Sequence, residues 1–153
     1  MNRLLALQSK LTKLPFGRTI FSKAVARMAP YFTTINPRID YLEHNKIKVS
    51  MRKRHAVHNH INTVHAIACC NLCEFAAGLC IEASIPTHRR WIPIGMEVAY
   101  VKKADNHLVA TCDLSGTDWE NCTEVPCYVS VKTIDGVEVV TATITMRVSN
   151  RKK

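Results

Sequence analysis

Residues 59–85 read NHINTVHAIACCNLCEFAAGLCIEASI, and this stretch decides the fold. A polar loop leads into about six turns of predicted helix, and the helix is apolar on nearly every side. A helix of this kind has to be buried. Asn62 or Thr63 is placed to cap its first turn, and Pro86 ends it. Glu74 puts a carboxylate near the middle, and the polar Asn and His residues argue against a membrane span.

Five segments alternate apolar and polar residues as half-buried strands do. They lie at residues 45–53, before the helix, and around residues 91–100, 108–114, 125–131 and 140–148, after it. The order is β-α-β-β-β-β without βαβ alternation, so we expect a mainly antiparallel sheet. The sequence therefore predicts an α+β domain in which a curved antiparallel sheet wraps around one long central helix.

The net charge of +9 is concentrated at the ends of the chain. Residues 1–39 hold seven Lys or Arg and no Asp or Glu, and residues 151–153 add three more cations. Residues 40–150 are nearly neutral, with eleven basic and twelve acidic residues. We divide the chain into basic amphipathic N-terminal helices at 1–39, the main domain at 40–150, and a basic tail at 151–153. No interleaving of aromatic and basic residues accompanies the charge, so we expect no nucleic-acid partner.

Two amphipathic helices are predicted in the basic N-terminal segment. One covers residues 3–14 and is broken at Pro15, and the other carries an apolar stripe over residues 20–28 and ends at Pro30. We interpret both as surface helices packed on the domain. A weak membrane-surface contact or a mitochondrial-type presequence is the alternative, because both use basic helices without acidic residues.

Four of the seven cysteines lie on the predicted central helix, and we interpret them as small buried apolar residues. No secretory signal peptide is visible, so we expect free thiols in a reducing cytoplasm. Cys70 and Cys73 have the spacing of a zinc-ligand pair, but the second pair of a zinc site is missing. We therefore expect neither a metal nor a cofactor.

The element order and the central stretch resemble the hotdog fold, and within it the PaaI-type acyl-CoA thioesterases and related small, poorly characterised proteins of the DUF4442 type. That family's local pattern is an Asn, a short turn, Gly-Thr-x-His-Gly-Gly, and an acidic residue nine positions after the His. Here Asn59, Thr63, His65 and Glu74 keep this spacing. The resemblance covers roughly residues 40–148 and implies thioester hydrolysis.

Three glycines of the pattern are replaced, by Asn62, Ala66 and Ile67. Asn62 can adopt the left-handed conformation that a glycine would take. Ala66 and Ile67 place bulk where the family lets a thioester approach the backbone. Two alternatives to hydrolysis therefore stay open: a non-catalytic acyl-CoA or lipid-ligand binder, and a hydratase or dehydratase that pairs His60 or His65 with a carboxylate.

Thioester hydrolysis needs a carboxylate to attack the carbonyl or to activate water, and a donor for the developing oxyanion. Glu74 supplies the carboxylate, and the free N–H groups near Ala66 at the helix N-terminus supply the donor. About 12 Å of helix separates the two, so one carbonyl cannot touch both. A second helix placed alongside in the opposite sense creates two composite sites. We therefore predict a homodimer, or a tetramer built from it.

The other candidate residues have alternative interpretations. Glu74 could instead be a solvated residue on a wet stripe with Asn71, Gly78 and Glu82. Asn59 either forms the turn or positions water or the thioester oxygen.

For His65, a structural hydrogen bond fits its place in the first helical turn better than a role as a base. His60, Thr63 and Ile67 are expected to line the substrate site. Arg89 and Arg90 could hold the phosphates of acyl-CoA, although solvated strand ends are the plainer interpretation.

Overall fold

The computed structural model describes residues 2–151. It contains three α-helices, two 3₁₀ helices and six strands. The α-helices are α1 (Arg3–Leu11), α2 (Gly17–Met28) and α3 (Ala66–Ser84), and the 3₁₀ helices are Pro30–Ile35 and His55–Val57. The strands are β1 (Arg38–Glu43), β2 (Lys46–Met51), β3 (Arg89–Tyr100), β4 (Leu108–Asp113), β5 (Glu124–Thr133) and β6 (Glu138–Asn150).

The six strands form one antiparallel sheet in the order β1-β2-β4-β5-β6-β3. The five strands and the helix expected from the sequence are present in the expected order. Strand β1 was not predicted, because its register shifts between Ile39 and Tyr41. Its two buried residues, Ile39 and Leu42, are therefore three positions apart, which hides the two-residue period of a strand.

Helix α3 is the core element around which the sheet curves. Twelve of its nineteen residues are buried, and it contacts all six strands. Its length and hydropathy would suffice for a membrane span, but most of it is buried inside the domain, so it is a core helix. The burial predicted for this helix is confirmed.

The start of α3 differs from the prediction that Asn62 or Thr63 caps it. The helix begins at Ala66 and is capped by His65, whose Nδ1 accepts the Ile67 N–H at 3.1 Å. The predicted cap is wrong because Asn62 and Thr63 belong to the preceding loop. The predicted end is confirmed, since the helix stops at Ser84, just before Pro86.

The two N-terminal helices form as predicted, but they pack to different extents. Helix α2 buries Phe21, Val25 and Ala26 and lies against β1 and the first 3₁₀ helix. Helix α1 has no fully buried residue. Ser22 links α2 to the sheet, because its hydroxyl accepts the Ile39 N–H at 2.9 Å. Both helices therefore cover the β1 side of the domain.

Candidate active site

The loop before α3 is held by the side chain of Asn59. Its Oδ1 accepts the N–H groups of Ile61 and Thr63 at 3.1 and 3.0 Å, and its Nδ2 donates to Thr63 Oγ1 at 2.7 Å. Of the two roles considered for Asn59, turn formation is thus observed, and one amide hydrogen is left over. Asn62 has φ of 59°, the left-handed conformation expected where the family pattern has glycine.

Free backbone donors lie at the N-terminus of α3. Within residues 2–151, the N–H groups of Ala66 and Ala68 have no hydrogen-bond partner, whereas the Ile67 N–H is used by His65. The helix dipole adds positive potential at the same place. Since His65 Nδ1 accepts a hydrogen bond, its lone pair caps the helix, and His65 is placed as a structural residue.

Glu74 lies on an open strip of α3 with Ile67 and Cys70. Ile67 is exposed, and Cys70 and Glu74 are half-buried. The wet stripe considered as an alternative does not exist, because Asn71 and Gly78 are buried. Glu74 has no hydrogen-bond or ion-pair partner among the described residues.

The other carboxylate on α3, that of Glu82, already has a hydrogen-bond partner. It accepts the indole N–H of Trp91 at 2.7 Å. Trp91 also covers Gly78, where an added Cβ would lie 3.2 Å from the ring. On α3, therefore, the carboxylate without a partner is Glu74.

A cavity of about 230 Å³ adjoins the first two turns of α3. It is bounded by the two 3₁₀ helices and by α3, and its polar lining includes Thr34, His58, His65 and Asn71. Asn71 is only 5% exposed; its Nδ2 donates to Thr34 Oγ1 at 3.1 Å, and its Oδ1 has no partner. The buried Nε2 of His58 also has no hydrogen-bond partner among the described residues.

Sequence reasoning did not assign Asn71 or His58 to the site. The available signal was an amide within a largely apolar helix, because a buried polar group normally requires a partner.

Arg89 and Arg90 lie at the other end of α3, about 28 Å from its N-terminus. Arg89 is 6% exposed, and its guanidinium donates to the backbone carbonyls of Trp119 and Cys122. Arg90 is exposed and donates to Ser149 Oγ at 3.2 Å. Because Trp91 faces α3, the neighbouring Arg90 points to the opposite face of the sheet. One chain therefore does not bring either arginine to the helix N-terminus.

The other predicted site residues separate into two groups. Around the helix N-terminus the structure brings together Asn59, Thr63, His65, Ala66 and Ile67, with His60 exposed in the same loop. Glu74 lies about two turns further along the helix. The spacing that led to the prediction of a composite site is thus present.

Strand β3 is an edge strand beside the open strip of α3. It pairs with β6 on one side, and none of the described residues pairs with its other edge. Met96 and Tyr100 lie opposite the buried Ile144 and Val140, so they share the core face of the sheet, yet both are exposed. Tyr100 Oη is hydrogen-bonded to Cys70 Sγ at 3.0 Å, which raises the pKa of Tyr100 to about 12. An apolar strand edge, unpaired among the described residues, therefore contacts the open strip of α3 at Cys70.

The helix cysteines are free thiols, as predicted. Cys69, Cys73 and Cys80 are buried, but Cys70 is only half-buried in the open strip, so the burial predicted for Cys70 is wrong. Burial raises the pKa of the Cys69 and Cys73 thiols to about 12. In the part of the chain that the structure describes, no group of three His, Cys, Asp or Glu side chains could hold a metal ion.

Comparison with solved structures identifies the class of fold. The crystal structure of a structural-genomics protein, APC5556, has a TM-score of 0.86 at 38% identity, covering 97% of this chain and 99% of that one. A probable thioesterase of unknown function from Pseudomonas aeruginosa has a TM-score of 0.78 at 16% identity, covering 90% and 97%. A hypothetical thioesterase from Streptococcus pneumoniae, solved with coenzyme A, has a TM-score of 0.64 at 17% identity, covering 76% and 91%.

The curved sheet around one core helix, which the chain shares with these structures, is the hotdog fold. Within it, the chain belongs to the family described as "Domain of unknown function (DUF4442)", whose model matches residues 17–148. The comparison with curated proteins gives no match. The predicted fold and the predicted family are both confirmed.

Proposed function

We propose that this protein is an acyl-CoA thioesterase that works as a homodimer with two composite sites. The observation that carries the proposal is the separation, on one open helix, of an unpaired carboxylate from free backbone donors. Glu74 and the Ala66 N–H are about 12 Å apart in one chain. Two antiparallel copies of α3 related by a two-fold axis would bring Glu74 of one subunit to Ala66 of the other.

The proposed reaction uses Glu74 as a general base. Its carboxylate takes a proton from a water molecule while the water oxygen attacks the thioester carbonyl carbon. The carbonyl oxygen becomes an oxyanion and accepts a hydrogen bond from the Ala66 N–H of the other subunit, next to the positive end of the helix dipole. The intermediate then collapses, the carbon–sulfur bond breaks, and the proton held by Glu74 passes to the departing thiolate. The products are a carboxylic acid and free coenzyme A.

The unpaired edge of β3 supports the dimer. A twelve-residue edge strand with Met96 and Tyr100 exposed on its core face is an unfavourable surface for an isolated subunit. Antiparallel pairing of β3 with its copy would extend the sheet across the two-fold axis and cover the open strip of α3. The same β3 contact is compatible with a tetramer formed from two such dimers.

An acyl-CoA substrate is supported by the fold and by the polar surroundings of the helix N-terminus. The relative from Streptococcus pneumoniae was solved with coenzyme A. We assign the ends of the substrate to the cavity near Asn71 and to exposed cations such as Arg90, which would come from the other subunit. We place Arg89 outside the site because its guanidinium is buried against backbone carbonyls. The free thiols support a reducing cytoplasm as the location.

Glu74→Gln tests the base. The substitution keeps shape and hydrogen bonding, so fold and assembly should persist while turnover of acyl-CoA falls about 100-fold or more. Glu82→Gln is the matched control on the same helix, since Glu82 is bonded to Trp91. Unchanged turnover in Glu74→Gln would exclude the assignment.

Ala66→Pro tests the donor. Proline is tolerated at the first position of a helix, and His65 already has the extended backbone that precedes a proline, with φ −62° and ψ 139°. The substitution should therefore remove one N–H and reduce turnover without unfolding the protein. Mixing Ala66→Pro subunits with Glu74→Gln subunits should restore activity, because each heterodimer regains one intact composite site. No recovery would argue against a shared site.

A non-catalytic acyl-CoA or lipid-ligand binder is the second candidate, and the side chains of Ala66 and Ile67 at the helix N-terminus favour it. Binding of acyl-CoA without release of a thiol would support this candidate. In the hydratase or dehydratase alternative, His65 is the weaker candidate because its Nδ1 already accepts a hydrogen bond, so this alternative rests on His60.

A further inference from the structure

The connection between α1 and α2 presents large apolar side chains to solvent. Leu14, Phe16 and Ile20 are all exposed, and Phe16 is 85% exposed. Ile20 lies one turn after Phe16, with its N–H donating to the Phe16 carbonyl at 3.1 Å. We call these three residues the apolar tip. The residues between Leu11 and Gly17 are all exposed, so the tip projects from the domain.

The backbone at the tip is unfavourable for a phenylalanine. Phe16 has φ of 59° and ψ of 12°, a left-handed conformation that glycine or asparagine adopts far more easily than an aromatic residue. Gly17, which follows, is required by the fold, because an added Cβ would collide with the Leu11 carbonyl oxygen. Folding alone therefore explains Gly17 but not Phe16, which is 85% exposed.

Cations lie on both sides of the apolar tip along the chain, and residues 1–39 contain no carboxylate side chain. Lys13 and Arg18 flank Phe16, and Lys10 and Lys23 lie about one turn further away on α1 and α2. None of these four forms an ion pair with the residues that the structure describes. Exposed apolar side chains with unpaired cations next to them in the chain complement the surface of an anionic lipid bilayer.

We propose that the apolar tip inserts into an anionic lipid surface, with Lys13 and Arg18 at the level of the headgroups. Helix α2 packs on β1, at the edge of the sheet opposite β3. A dimer formed through β3 would therefore leave the tip free, and the proposal does not depend on the thioesterase activity. The sequence favoured a role for the N-terminal helices in packing on the domain. The proposed lipid contact is compatible with that role, because one face of α2 packs on the domain while the tip is exposed.

Co-sedimentation with vesicles tests the proposal. The full-length protein should bind vesicles of equal parts phosphatidylcholine and phosphatidylglycerol, and binding should weaken at high salt. It should not bind vesicles of pure phosphatidylcholine. Phe16→Ser should weaken binding by about tenfold or more, because a large apolar side chain is lost. The double variant Lys13→Glu, Arg18→Glu should weaken it at least as much.

Two further variants separate lipid binding from folding. Phe16→Gly relieves the left-handed backbone, so it should unfold at a higher denaturant concentration and still bind vesicles about tenfold less well. Ile134→Ser removes another apolar residue that is 65% exposed, at the β5–β6 turn, and should bind like the parent protein. No binding to anionic vesicles at low salt, or undiminished binding by both Phe16 variants, overturns the proposal. If Phe16→Gly lost self-association while its vesicle binding stayed unchanged, the lipid proposal would be wrong and the tip would be a contact between two copies of the protein.

Discussion

Met96→Ala tests the contribution of the β3 edge to the proposed dimer. Met96 lies on the core face of β3 and is 37% exposed in one subunit. Complete burial of a methionine side chain contributes about 1.5–3 kcal/mol. About a third of Met96 is still exposed in one subunit, and covering that part in the dimer would contribute about 0.8 kcal/mol. Both subunits lose this contribution, so the dimer loses about 1.6 kcal/mol, which weakens association about 15-fold.

Sedimentation velocity across a dilution series measures the dimer dissociation constant of the parent protein and of Met96→Ala. Tyr128→Ala is the control, because Tyr128 is 64% exposed and lies on β5, two strands away from β3. Thioester turnover measured over the same dilutions should decline as the dimer dissociates. An identical dissociation constant in Met96→Ala and the parent, or a parent that stays a 17.2 kDa monomer, would refute pairing through β3.

Three further outcomes follow from the site and the core. Ile67→Gly should raise kcat/KM several-fold by opening the helix N-terminus, and should lower the unfolding free energy by about 1 kcal/mol, measured with urea. Asn62→Ala should lower the unfolding free energy by about 1 kcal/mol, whereas Asn62→Gly should change it little, because only alanine is strained at this positive φ. The unfolding free energy should decrease as the pH rises from 9.0 to about 12, since burial keeps Cys69 and Cys73 as neutral thiols. Replacing both cysteines with alanine should flatten that decrease.

The parts of the fold that repeat regularly could be predicted from the sequence. The apolar helix and five alternating strands have the periods of 3.6 and 2.0 residues that burial imposes. Strand β1 was missed because its irregularity displaces Leu42 from the alternating pattern. The helix cap was missed because histidine is an uncommon capping residue, and its role depends on the orientation of the His65 ring.

The candidate site was predictable only in part. Local spacing places Asn59, His65 and Glu74, because they lie on one loop and one helix. The cavity at Asn71 and His58 depends on the 3₁₀ helix Pro30–Ile35, which comes from a distant part of the chain. The buried role of Arg89 depends in the same way on the carbonyls of Trp119 and Cys122. Contacts of long sequence separation leave no periodic signal.

The order of the strands has a consequence for the newly made chain. Strand β3 is the third strand to be synthesised, but its neighbour within the subunit is β6, the last. Until Glu138–Asn150 has left the ribosome, β3 has no position in the sheet. A chain truncated before β6 could not present an ordered β3 edge to another subunit. In the proposed dimer, pairing of β3 with its copy would therefore have to wait until β6 has joined the sheet of each subunit.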